Sequence, residues 1–168
     1  MARDILDRKI RHLLDQILVM DSMVENATIE AMEALKSHGV EKAKEIYAAD
    51  RLINARRFEL ENEVIITIAT QQPIMAGDLR LIASILEVVG ELERMGDYAK
   101  GIAKICIQIG NEPHIKPLID LPKMSEIVVQ MVHDAVTAFV KLDADTARKI
   151  PASDDRVDDL YNMIYEEL

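Results

Sequence analysis

Glu93 and Asp97 stand four residues apart in Glu91-Leu92-Glu93-Arg94-Met95-Gly96-Asp97-Tyr98, a spacing that puts both carboxylates on one face of a helix. Like charges at that separation cost a helix roughly 0.2 to 0.5 kcal/mol, so the pair calls for a cation. A metal ion or a basic side chain would serve. As metal ligands, the two residues supply hard oxygens from consecutive turns, and Asp50, Asp155 and Asp159 supply more from other helices. Oxygen-only sets suit magnesium, manganese, iron or calcium better than copper. Without an ion, Lys100 and Lys104 on nearby faces can pair with Asp97 or Glu93 and leave a solvated, salt-bridged surface.

Signals for covalent chemistry are missing. The residues three before His12, His38, His114 and His133 are Lys9, Leu35, Asn111 and Gln130, so there is no Glu-x-x-His pair of the kind used by di-iron helical bundles. There is likewise no Gly-rich phosphate loop, no Gly-x-Ser-x-Gly elbow, no His-Glu-x-x-His and no cysteine pair. The sequence therefore reads as a non-enzyme, with no catalytic residue to name. His12, His38 and His133 read as surface or helix-end residues and His114 as part of a linker, while Cys106 reads as a buried structural thiol.

The elements that must position these acids are long helices. Leu6, Ile10, Leu13, Ile17, Met20, Val24, Ala27, Ala31 and Ala34 alternate four and three apart, which predicts a first helix packed in a bundle and ended by His38-Gly39. A second starts near Val40 and runs toward Gln71, before Pro73 and Gly77 punctuate the chain. The third carries Leu81, Ile85, Val88, Leu92, Met95, Ala99, Ile102, Cys106 and Ile109 and stops at Gly110-Asn111. Pro113, Pro117 and Pro122 mark a linker. A fourth helix is expected over 124–142, and a fifth runs from between Ala144 and Asp154 to the last residue, with Pro151 making it either one kinked helix or two pieces.

Within the second helix, Ile46, Asp50, Ile53, Arg57, Leu60 and Val64 form the seam, so an acid and a base occupy core positions; a polar contact between Asp50 and Arg57 would reconcile them. In the third, an apolar flank of Leu79, Ile82, Leu86 and Val89 turns acidic at Glu93 and Asp97. Gly90, Gly96 and Gly101 crowd the same stretch, where close approach by a neighbouring helix explains them best.

Thirty acidic residues against twenty basic ones give a formal charge of −10, which disfavours nucleic-acid phosphate and anionic lipid and favours multivalent cations. No apolar run reaches the roughly 18 residues of a membrane span, and a single cysteine suits a reducing compartment. The expectation is a cytoplasmic protein with no nucleic-acid partner and no direct membrane insertion.

An internal repeat organises the chain. Residues 40–46 resemble 144–150, and Asp50-Arg51-Leu52 resembles Asp155-Arg156-Val157 about 105 residues later. The expected architecture is all-α, as tandem antiparallel three-helix bundles. Residues 1–111 form the first unit, 112–122 a Pro-containing linker and 123–168 the start of a second. By this register the second bundle is incomplete, its third helix lying beyond residue 168 in something about 50 residues longer.

Gln71-Gln72-Pro73-Ile74-Met75-Ala76-Gly77-Asp78-Leu79-Arg80 followed by Glu91-Leu92-Glu93-Arg94-Met95-Gly96-Asp97 resembles the PhoU family of phosphate-uptake regulators, and the resemblance extends over the whole sequence. It implies a cytoplasmic, usually dimeric, metal-binding accessory protein that negatively controls phosphate uptake and phosphate-starvation signalling. The implied partners are the ABC phosphate transporter and its sensor histidine kinase at the inner face of the membrane. The family's metal motif, an acid followed four later by aspartate, is matched by Glu93 and Asp97 and again by Asp155 and Asp159. Asp50 departs from it, being followed four later by Asn54. The metal so implied is iron, manganese, magnesium or zinc. Two other readings of the residues remain open: a carboxylate-bridged metalloenzyme acting as phosphatase or oxidase, and a purely structural helical module with solvated acids.

Overall fold

The computed structural model describes residues 2–167, which form six helices: α1 Ala2–Ser37, α2 Val40–Thr70, α3 Ala76–Ile109, α4 Asp120–Lys141, α5 Ala144–Ala147 and α6 Pro151–Glu166. There is no strand among the described residues. The α1 stripe does what its spacing requires, with Leu13, Ile17 and Met20 fully buried against Leu60 and Val64 of α2 and Ile82, Ile85 and Val89 of α3. Helices α1, α2 and α3 all pack on one another, α4 lies on α1, and α5 and α6 touch only α4 among the described elements.

Chain reversals follow local chemistry, with one departure from expectation. At the end of α1 the left-handed residue is His38, at φ 55°, while the Gly39 amide donates 2.8 Å back to the carbonyl of Ala34. That is the hydrogen bond that closes a helix one residue past a left-handed cap. A contact between distant residues favours the unusual histidine backbone: its ring stacks on His114 at 4.1 Å, and the ring nitrogen of His114 lies 2.9 Å from the carbonyl oxygen of Leu35. The departure is α4, which begins inside the proline-containing segment, at Asp120. Pro122 falls in its first turn, where no intrahelical amide bond is lost.

Pro151 resolves the last helix into two pieces and opens α6. Asp143 caps α5, accepting from the amides of Asp145 at 3.1 Å and Thr146 at 3.0 Å. The Thr146 hydroxyl holds the Asp143 carboxyl below its ordinary range. Cys106 is buried as expected, its thiol 3.3 Å from the carbonyl of Ala34 and pushed up by burial. No described helix is long and apolar enough to cross a membrane.

Candidate functional site

The acids of α2 and α3 meet across the contact between those two helices. Gly96 allows the approach: a Cβ there would stand 3.0 Å from Ile53 Cδ1 and 3.2 Å from its Cγ2. Nothing lies within 4 Å of a Cβ built on Gly90 or Gly101, so close packing accounts for one of the three clustered glycines and not for the other two.

Asp50 is buried at 6% exposure, with Oδ2 accepting from Lys100 Nζ at 2.6 Å and from Asn54 Nδ2 at 2.9 Å. Its other oxygen, Oδ1, is buried without a hydrogen-bond partner. Lys100 Nζ also stands 3.6 Å from Asp97, whose side chain is half exposed. One ammonium is thus shared by two carboxylates, and its pKa rises, chiefly through the hydrogen bond to Asp50. Glu93 is more enclosed and is held by a different cation: Arg57 Nη1 donates to it at 2.9 Å, while Arg57 Nε donates to Glu61 at 2.7 Å.

The expected contact between Asp50 and Arg57 does not form. Seven residues along a helix separate their Cα atoms by about 10.5 Å. Basic and acidic groups on α3 are nearer, so Asp50 turns to Lys100 and Arg57 to Glu93. Asn54, four residues after Asp50, serves as its hydrogen-bond donor.

The structure therefore joins Asp50 and Asp97 through Lys100 and places Glu93 beside them on Arg57. Asp155 and Asp159 are exposed on α6, which reaches neither α2 nor α3. As a donor set the α2–α3 face offers hard oxygens, although among the described residues these acids do not bring three ligand atoms within 4.8 Å of one another. Asp50 offers a free buried oxygen, Asp97 an accessible carboxylate, and the shared ammonium stands where positive charge is needed.

A second cluster escaped the reading of the sequence. Asp21 and Glu25 of α1 and His133 of α4 each offer a ligand atom within 4.8 Å of the others, the one such group of three or more among the described residues. His133 is exposed, as expected of a surface residue, and its Nδ1 is 2.9 Å from Glu25 Oε1. Asp21 is only 2% exposed and its Oδ1 has no partner. Burial, followed by the charge of Glu25, raises its pKa to about 7, with His133 acting in the opposite sense. The available signal was the four-residue spacing of Asp21 and Glu25 beside the core position Met20; the histidine, more than a hundred residues away, gave none.

A family model described as the PhoU domain matches residues 17–106 and 121–168. The phosphate-specific transport system accessory protein PhoU homolog of Aquifex aeolicus is 39% identical over 163 residues, 97% of this chain and 73% of that protein. The accessory protein PhoU of Escherichia coli K12 is 30% identical over 160 residues, covering 95% of this chain and 66% of that one. Among solved structures, the phosphate transport system regulatory protein PhoU from Streptococcus pneumoniae superimposes with a TM-score of 0.88 at 28% identity, over 96% of this chain and 76% of that one. PhoU from Pseudomonas aeruginosa gives 0.87 at 30% identity, over 96% and 77%.

Proposed function

This chain belongs to the PhoU family, and from that membership we propose that it is an accessory regulator that restrains phosphate uptake and phosphate-starvation signalling. The observation that carries the reading is the match along 97% of the chain to a protein named as an accessory of the phosphate-specific transport system. The regulator works by contact and not by covalent chemistry, at the cytoplasmic face of the membrane and as a homodimer. Its partners are the ABC phosphate transporter and a sensor histidine kinase. The units of the reading are 1–111 and 123–168, joined by 112–122.

Glu93, Asp97 and Asp50 are the residues that would hold a metal ion on the first unit, with Asp155 and Asp159 forming a separate pair on α6. The free Oδ1 of Asp50 and the exposed carboxylate of Asp97 support this assignment. A bound divalent or trivalent cation would neutralise the acidic α2–α3 face and tie the two helices together. Lys100 competes for the same two carboxylates through Asp50 Oδ2 and Asp97 Oδ1, so its ammonium must turn away when metal enters.

The test is a bacterium lacking its own PhoU, carrying a reporter of the phosphate-starvation response and supplied with this chain. Wild type should silence the reporter in high phosphate, and Glu93→Ala/Asp97→Ala should leave it on. A response that neither protein changes would refute the regulatory reading. Phosphatase or oxidase turnover by purified metal-loaded protein, lost in Glu93→Ala, would establish the enzymatic alternative instead.

A further inference from the structure

Beyond the α2–α3 face, we propose that Asp21, Glu25 and His133 form a separate metal site at the α1–α4 contact, taking a borderline divalent cation of the zinc or cobalt kind. It does not depend on the regulatory reading.

Three observations converge on it. The donors are close: one ligand atom from each residue lies within 4.8 Å of the other two, and His133 Nδ1 already sits 2.9 Å from Glu25 Oε1. The deepest of them lacks compensation: Asp21 is 2% exposed, its Oδ1 has no hydrogen-bond partner, and no lysine or arginine forms an ion pair with Asp21 or Glu25 among the described residues. A carboxylate buried to that degree requires a counter-charge or a proton. Third, the site has an entrance, because the His133 side chain is 53% exposed while Glu25 is 20% exposed. The donors thus run from the bundle interior to the surface.

The chemistry of the donors selects the ion. Two carboxylates and one imidazole supply two negative charges and a nitrogen, which suits a borderline dication better than calcium or magnesium. Three protein ligands leave at least one coordination position for solvent. The consequence is mechanical. Helix α4 contacts α1, and α5 and α6 contact only α4, so an ion held by Asp21, Glu25 and His133 would pin the whole α4–α6 segment to the first bundle.

The competing arrangement is a proton shared by Asp21 and Glu25, with no metal. Zinc titration calorimetry on the 168-residue chain separates the two. Four proteins are needed: wild type, His133→Ala, Glu93→Ala/Asp97→Ala, and the triple variant that combines all three changes. His133 is exposed, so its replacement leaves the fold intact, checked by circular dichroism and thermal melting. The expected result is that Glu93→Ala/Asp97→Ala retains one equivalent of zinc, and that the triple variant binds it at least tenfold more weakly. Cobalt added to Glu93→Ala/Asp97→Ala should give visible absorption bands that Glu25→Gln weakens. Equal zinc binding by the double and triple variants would overturn the proposal. So would its loss in the double variant, an outcome that leaves the α2–α3 face as the metal site. Binding by none of the four would leave the shared proton and overturn it as well.

Discussion

The α2–α3 face and the α1–α4 contact each gather carboxylates from helices far apart in sequence, yet they balance the charge in opposite ways. On the first, Lys100 serves Asp50 and Asp97 while Arg57 serves Glu93 and Glu61. On the second, Asp21 is the most buried carboxylate described and its companions are another acid and a histidine. The acidic pair that the sequence makes conspicuous is therefore the one the protein already compensates. The inconspicuous pair is the one that still needs a cation or a proton.

Removing the internal cation should produce the largest loss. Lys100→Met leaves Asp50 buried with Asn54 as its one donor, and should destabilise the protein by about 1–3 kcal/mol in urea unfolding. The same variant should bind metal more tightly at Asp50 and Asp97, since no ammonium has to leave. Gly96→Val attacks the geometry that unites the two helices: its side chain must displace Ile53, at a cost of about 1–3 kcal/mol. It should also weaken metal binding at the α2–α3 face while leaving any zinc site at His133 untouched.

The α1–α4 contact should respond with the opposite sign. Asp21 has a folded-state pKa of about 7 against an ordinary value of 3.8, so the folded protein holds an extra proton between those limits. In metal-free protein its stability contribution consequently falls as pH rises through that window, and the full penalty is present above about pH 7. Asp21→Asn should remove this slope, with little effect near pH 3.5 and a gain on the order of 1–2 kcal/mol at pH 8. Denaturant midpoints in EDTA at the two pH values measure it, and an equal shift at both would refute the assignment. The smallest change expected is at Gly90, where a methyl group meets nothing within 4 Å. Gly90→Ala should raise the melting temperature through about 0.5–1 kcal/mol of helix propensity, in contrast to the damage from enlarging Gly96.

The helices were legible because each carries a long apolar stripe. Leu13, Ile17 and Met20 in α1, and Ile85, Leu92 and Cys106 in α3, are buried as their spacing requires. Turn chemistry was less legible where a distant contact supports the backbone. The His38-Gly39 stop was expected, but not that His38 would take the left-handed conformation with its ring stacked on His114. The same limit applied to Asp50 and Arg57, whose shared seam suggested that they meet, although each finds its partner on α3. Asp21 was hidden by its neighbours in sequence, since one acid beside a core stripe looks like the edge of a solvated face.

By itself the sequence determined which segments are helical, which face of α1 turns inward, and that Glu93 and Asp97 share a face, because a period of 3.6 residues is a property of the local backbone. It also carried the family relationship through two ordered motifs. The tertiary structure alone decided which cation meets which carboxylate, and that Asp21 and Glu25 share a site with His133. Those pairings depend on how helices distant in sequence cross, and a few ångströms at the crossing determine whether an acid faces a lysine, a histidine or nothing.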